Sequence, residues 1–390
     1  MSRPSVHRLR KFRFERPQQI AALLLLLFFG QCLWISAHRT LSETDYQYAR
    51  CGRETWEKPA LLTGYFTTCG NIPDGILAWR AAGLPLTIDR ILSGESASTS
   101  TWEMRHEIWS IRLLVRLPFM LAGLALGACL WWVTRRLFGN TGGYIALALY
   151  CFSPPILRAS TVPNSEILAA FGIFSAVYTA IGVSHALQGP RRKWRPRIIL
   201  LAVILGFTAA AHISAFALAL LFCIAFMAWV AEGKRALIPT LLIFWIVSAF
   251  LLLFAAYSFR LDAFSYIFRS AAGMLWISLE PARWFFTRLT SVIFTIAIAG
   301  SLALYAAQRR SRYFGNTAPL IVAVVLFLVI TTGVHSEPWL WALPFFITFI
   351  AGIFADVLET RHRRLFLFVT GGILLAQAAL CLATLPLLTQ

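Results

Sequence analysis

Eleven apolar runs, each long enough or nearly long enough to cross a lipid bilayer, decide what this chain can become. They fall at about 20–37, 109–133, 143–157, 166–186, 198–211, 213–231, 238–257, 286–307, 318–333, 340–357 and 365–388. Inside a bilayer each backbone N–H and C=O must find a partner within the protein, so runs of this kind fold as helices. The expectation is an all-α polytopic membrane protein with about 11 transmembrane helices in a single membrane domain over 1–390. The composition agrees: of 390 residues 58% are hydrophobic and 13% charged, with a mean hydropathy of +0.70. Long apolar runs at that composition mean a membrane protein, not a large soluble core. The runs 143–157 and 198–211 are the shortest, and only a few residues separate 198–211 from the run after it.

The formal charge of +18 would suggest nucleic acid in a soluble chain, but no basic stretch carries a readable nucleic-acid motif. The cations cluster instead at the ends of spans. With the N-terminus in the cytoplasm, the segments 1–19, 134–142, 187–197, 232–237, 308–317 and 358–364 hold 21 of the 35 Lys and Arg and three of the 17 Asp and Glu. That asymmetry is what the positive-inside rule predicts, and no other phase of the spans produces it. The topology is read as N-in and C-out. The run after the basic segment 1–19 covers about 18 residues, long for a signal-peptide core and right for a retained first helix.

This topology leaves one long outer loop, 38–108, ahead of the bundle at 109–388, and a second at about 258–285. The stretch "DGILAWRAAGLPLTIDRIL" within the first has near-helical amphipathic spacing. Trp79, Leu84, Leu86 and Ile91 are expected against the membrane surface, with Arg80, Asp89 and Arg90 facing water. Glu54 to Lys58 fits a solvated loop surface. Five of the seven cysteines, Cys32, Cys129, Cys151, Cys223 and Cys381, lie in apolar runs and pack as small hydrophobes. Cys51 and Cys69 lie in the first loop and could pair in an oxidising compartment.

Ionisable groups at the edge of a span are costly and mark function by default. Those on the outer face are Glu43 and Asp45 after the first span, Arg112 and Arg116 opening the second, Arg158 and Glu166 around the third-to-fourth loop, His212 at the fifth-to-sixth turn, and His335 and Glu337 before the tenth. A carboxylate at this level can act as general base on an acceptor, and Arg or His groups can hold a phosphate leaving group. The plainer reading has Arg112 and Arg116 snorkelling to the surface. No metal-ligand spacing links the seven His residues, and no glycine loop of the phosphate-cradling kind is present.

The stretch Arg116–Ala180, "RLPFMLAGLALGACLWWVTRRLFGNTGGYIALALYCFSPPILRASTVPNSEILAAFGIFSAVYTA", resembles the second-to-fourth-span region of GT-C glycosyltransferases. It is most similar to the protein O-mannosyltransferase and aminoarabinose-transferase-like group. The likeness rests on Arg116 opening the span, "RRLFG" from Arg135 to Gly139, "SPP" at Ser153–Pro155, and Glu166 opening the fourth span. "LGFTAAAHISAF" and "HSEPWLWALPFFITFIAG" resemble later blocks of the same group. The resemblance implies an inverting sugar transfer from a polyprenyl-phosphate donor to a lipid, glycan or protein acceptor at the extracytoplasmic face of a bacterial inner membrane. Asp45 would be the base, or Glu43, because the group's paired "D-E" stands here as "ETD". Glu166 would be a second acidic site residue, and Arg116, Arg158, His212 and His335 would surround the donor phosphate. A divalent cation is used by some relatives, and nothing in this sequence demands one. Pro338-Trp339 stands where the group has Arg-Tyr, and its acceptor-loop element is reduced to "EKPALL". Two other readings therefore stand beside the enzyme: a catalytically silent GT-C-fold subunit of a membrane complex, and a lipid or solute transporter, which would favour two similar halves and midplane charges.

Overall fold

The computed structural model describes residues 16–57, 75–94, 108–189, 191–231, 233–259, 275–307, 313–331, 339–360 and 363–389. In chain order the helices are α1 (Arg16–His38), α2 (Glu43–Glu57), α3 (Ile76–Ser93), α4 (Ile108–Cys151), α5 (Pro154–Thr161), α6 (Glu166–Leu187), α7 (Arg191–Ala211), α8 (Ile213–Val230) and α9 (Ile238–Ala256). A short strand β1 (Leu275–Ile277) precedes α10 (Glu280–Thr287), α11 (Val292–Ala307) and α12 (Tyr313–Leu328). Strand β2 (Val329–Thr331), α13 (Trp339–Leu358) and α14 (Arg363–Thr384) complete the order. Among the described residues eight helices are long and apolar enough to cross a membrane, and Val292–Ala307 and Gly315–Leu328 are apolar but shorter. The chain is an all-α polytopic membrane protein, and the described residues include one two-stranded ribbon that the hydropathy pattern does not reveal.

Helix α4 contains two of the expected spans. Gly139 has φ 76° and ψ −173°, a backbone region open essentially to glycine alone. Beyond it the chain doubles back, and the Tyr150 hydroxyl donates to the Gly123 carbonyl at 2.5 Å. The guanidinium groups of Arg135 and Arg136 cover the rings of Trp131 and Trp132 at 5.1 and 5.4 Å beside this turn. Such Arg–Trp pairs suit a membrane–water boundary.

Three expected spans have different limits. The run 143–157 stops at Cys151, because Pro154 and Pro155 follow and proline restricts the residue before it. The two carbonyls left open there, Cys151 and Phe152, accept from Gln31 Nε2 at 3.2 Å and Gln377 Nε2 at 2.7 Å. Two glutamines inside apolar helices thereby gain a physical reason. The run 286–307 begins at α10 and a turn at Leu289–Ser291 before α11. The run 318–333 leaves helix at Leu328, and β2 pairs antiparallel with β1 in the register Leu275↔Thr331, Trp276↔Ile330 and Ile277↔Val329. Val329, Ile330 and Thr331 are β-branched, which favours a strand over continued helix.

Burial sorts the bundle. The apolar window of α13 is 94% buried and that of α6 72%, against 17% for α14 and 22% for α9. Helix α13 is therefore the centre, while α9 and α14 turn most of their apolar surface outward, as lipid-facing helices do. Helices α6 and α7 run antiparallel with Gly172 against the Thr208 hydroxyl. That register sets the first turn of α6 level with His212.

The first loop folds onto the bundle. Helices α2 and α3 cross where Gly52 meets Gly83 backbone to backbone, and a Cβ on either glycine would run into the other chain segment. Trp79 stacks on Tyr48 with ring centroids 4.2 Å apart. This contact corrects the expected faces of α3: Trp79 and Leu86 are buried inside the protein. Leu84, Ile88, Ile91 and Leu92 form the exposed apolar side. Arg80 does not face water either, for its Nη2 donates to Ser258 Oγ at 2.6 Å and its guanidinium covers Trp56 at 4.9 Å. Gly75, before α3, donates its N–H to the Ala211 carbonyl at 2.8 Å. That bond closes the open end of α7 beside His212 and docks the loop there.

Candidate functional site

The site begins with the four residues Ser42-Glu43-Thr44-Asp45. Asp45 N–H donates to Ser42 Oγ at 3.2 Å, and Asp45 Oδ2 accepts from Ser42 N–H at 3.1 Å. This reciprocal pair is a capping box, which satisfies two of the donors that a helix start leaves open. It begins α2, and it directs the Asp45 side chain inward while Glu43, one residue into the helix, stays exposed. The S-x-x-D spacing of a helix start stands in the sequence at Ser42–Asp45, where Glu43 and Asp45 draw notice only as costly charges and candidate bases after the first span.

Asp45 is 1% exposed, and Arg116 Nη2 donates to its Oδ2 at 2.6 Å. Arg116 does not snorkel: it is fully buried. Its Nη1 donates to the carbonyls of Ser36 and Arg39, each at 3.2 Å, and its Nη2 also donates to Thr40 at 3.0 Å. Arg112, one turn earlier on the same face of α4, donates from Nη1 to Ala37 at 3.2 Å. Two arginines thus close the carbonyls at the C-terminal end of α1, where the helix dipole favours cations. Arg116 therefore has only its Nε–H left to offer a ligand, and that nitrogen is buried without a hydrogen-bond partner among the described residues. No local pattern points from Asp45 to a partner 71 residues away. The Asp45 Oδ1 atom takes no hydrogen bond among the described residues.

Two more cations stand beside this pair. The Arg39 guanidinium is held below its usual range, first by burial and next by Arg116 and Arg158, with Asp45 acting in the opposite sense. Arg158 is in the last turn of α5 and is exposed. Arg39 was not singled out in the sequence, since it follows the span without any acidic or aromatic signal of its own.

Glu166 and His212 lie farther along the same end of the bundle, each 2% exposed. Glu166 is in the first turn of α6, where a carboxylate suits the helix dipole, and its N–H donates to Asn164 Oδ1 at 3.2 Å. His212 is extended between α7 and α8, with φ −160° and ψ 120°, and its ring meets the edge of Trp341 at 5.1 Å. His335 lies outside the described residues. Cys51 is disulfide-bonded; its expected partner Cys69 also lies outside them. The other five cysteines are free, and all but the half-buried Cys129 are fully buried.

Glu57 departs from the solvated surface expected of it. Its Oε1 accepts from Arg53 Nε at 3.0 Å and lies 3.2 Å from Arg90 Nε, with the Arg53 and Glu57 side chains 4% and 7% exposed. The pair ties α2 to α3, while Glu54 makes an ordinary exposed pair with Arg50 at 3.6 Å. Among the described residues no three His, Cys, Asp or Glu side chains converge to hold a metal ion. A cation at Asp45 would also meet Arg116, so these residues do not fit one.

No family model matches the sequence, and no curated protein matches it. Solved structures do. ArnT from Cupriavidus metallidurans bound to undecaprenyl phosphate superposes with a TM-score of 0.61 at 14% identity, over 90% of this chain and 62% of that one. The same protein in the apo state gives 0.55 at 13% identity, over 95% and 73%. The oligosaccharyltransferase of Archaeoglobus fulgidus, in complex with Zn and sulfate, gives 0.56 at 15% identity, over 94% and 53%. The chain spans less than two thirds of the length of the ArnT chain in the first of these structures.

Proposed function

From the GT-C fold that this chain shares with those glycosyltransferases, we propose that it transfers a sugar from a polyprenyl-phosphate donor to an acceptor at the outer face of a bacterial plasma membrane. The observation that carries the reading is the carboxylate of Asp45. It is buried at the end of the bundle, fixed by Arg116 and the capping box, and flanked by Arg39 and Arg158. In the proposed step the acceptor O–H or N–H loses its proton to Asp45 Oδ1. The freed lone pair attacks the anomeric carbon, the carbon–oxygen bond to phosphate breaks, and the lipid phosphate leaves with that electron pair. Attack opposite the leaving group inverts the anomeric centre. Arg116 is a positioning residue here: it sets the orientation of the carboxylate and leaves one oxygen open. Glu166 and His212 line the same end and are proposed to contact the sugar and the phosphate.

Purified protein in nanodiscs, given polyprenyl-phosphate sugars and a panel of lipid and glycan acceptors, should release polyprenyl phosphate. Asp45→Asn should lower that rate by at least about 100-fold, the usual weight of a general base, with membrane insertion unchanged. Full activity of Asp45→Asn with Glu43 intact would move the base to Glu43. A second reading, a catalytically silent subunit, draws support from the same ion pair, because Oδ2 is already occupied. Under that reading no donor turns over and Asp45→Asn changes only stability.

A further inference from the structure

From Leu84 onward the exposed side of α3 is apolar. Leu84, Ile88, Ile91 and Leu92 fall at helical spacing on one side, and their exposure rises from 41% at Leu84 to 81% at Leu92. The charges of the helix do not interrupt this stripe. Arg90 is on the far flank, where its guanidinium reaches Glu57. Asp89 lies about 140° round the helix from Leu84. Arg80 stands one turn before Leu84 on the stripe side, but its side chain is turned to Trp56 and Ser258. A helix side bathed in water carries polar residues, so a stripe of this kind marks contact with something apolar.

What covers the stripe follows from where α3 is fastened. The bond from Arg80 Nη2 to Ser258 Oγ ties α3 to the end of α9 at 2.6 Å. Ile243, Val247 and Leu251 run up the lipid-facing side of α9, all exposed. Phe259, next to Ser258, is exposed as well and packs edge-on against Phe254 of α9 at 5.4 Å. Leu84 comes one turn after Arg80 on the same side, so the stripe on α3 begins where the lipid-facing surface of α9 ends. We propose that α3 lies in the membrane surface at the Asp45 end of the bundle, with Leu84, Ile88, Ile91 and Leu92 at the boundary of headgroups and acyl chains. Apolar helix faces enter that boundary to a depth of about 5–10 Å. The partner is lipid, bound through its chains. Because α2 crosses α3 at Gly52 and Gly83, the bilayer surface becomes a support of the helix pair that carries Asp45. The proposal stands apart from sugar transfer, needing only that the bundle spans a membrane, and it holds for either orientation.

The test reads which solvent each position meets. The full chain, one copy per phosphatidylcholine nanodisc, carries a nitroxide at Leu84→Cys, Ile88→Cys, Ile91→Cys or Leu92→Cys, with the unsubstituted protein as background. Ser93→Cys is the control, because it lies about two and a half turns past Leu84 and so on the opposite side. Collisions with oxygen, which enters lipid, are compared with collisions with a nickel chelate, which stays in water. The oxygen-to-nickel ratio at the four stripe positions should exceed that at Ser93 by about fivefold or more. A bimane at Ile91→Cys should also be quenched by brominated phosphatidylcholine. Equal ratios at all five positions put the stripe in water and overturn the proposal. Exclusion of both agents from the stripe, without quenching by brominated lipid, means that protein covers it, and this overturns the proposal too. The four side chains are exposed, so thermal unfolding should match the unsubstituted protein; a variant that fails this check is set aside and the others are read.

Discussion

Asp45 and Arg116 are each buried and each charged, so neither is tolerable alone. Removing one partner of a buried pair leaves an uncompensated charge and costs about 3–5 kcal/mol, whereas removing both together costs far less. Arg116→Gln should therefore lower the unfolding midpoint of detergent-purified protein more than Asp45→Asn/Arg116→Gln does. Equal losses in the two would mean that Arg116 matters chiefly through the three carbonyl bonds it makes at the end of α1, not through the carboxylate. Sequence reasoning reached Asp45 by its distance from the first span, and it reached Arg116 by its place at the second. It could not join them, since contact between residues so far apart in sequence comes from tertiary packing. It left Arg116 between a phosphate contact and snorkelling to the surface, neither of which foresees the bonds to Asp45 and the end of α1.

At the scale of elements, the position of Asp45 depends on how α2 sits, and α2 is held by its crossing with α3. The crossing needs two glycines, because Gly52 and Gly83 meet backbone against backbone. A methyl group at Gly83 must push the helices apart, and overpacking of this kind costs about 1–3 kcal/mol. Gly83→Ala should lower the unfolding midpoint and loosen the Arg53–Glu57–Arg90 cluster, seen as a changed salt dependence of stability. Gly30→Ala is the matched control: nothing lies within 4 Å of its added Cβ, and alanine is favoured over glycine inside a helix by up to about 1 kcal/mol. It should leave the midpoint unchanged or raise it. Helix α3 also explains why some faces were misread. In α3 the charged side chains of Arg80 and Arg90 turn to partners inside the protein, Ser258 and Glu57, so they do not mark a water-facing side and spacing alone cannot tell Trp79 from Leu84. Spans such as α1 and α8 were legible because length and hydropathy suffice there, whereas the end of α4 at Cys151 was set by the prolines and by Gln31 and Gln377 from distant helices.

Across the whole molecule, the reading of function depends on one property that the fold does not fix, namely which end of the bundle faces out. The charge count supports the proposed direction, with the basic segments 134–142 and 187–197 at one end of the bundle and Asp45 at the other. Two exposed positions test it. Ser93 is exposed in the last turn of α3, at the Asp45 end, and Gln188 is exposed just after α6, at the opposite end. With a membrane-impermeant maleimide and the unsubstituted protein as background, Ser93→Cys should be labelled in intact cells. Gln188→Cys should be labelled only after the cells are opened. The reverse pattern would put Asp45, Arg39 and Arg158 in the cytoplasm, where the proposed extracytoplasmic transfer has no place, while leaving the fold and the ion pair as they stand. Labelling of both in intact cells would show that α3 or the turn after α6 does not sit where the helices place it, and would remove the orientation argument altogether.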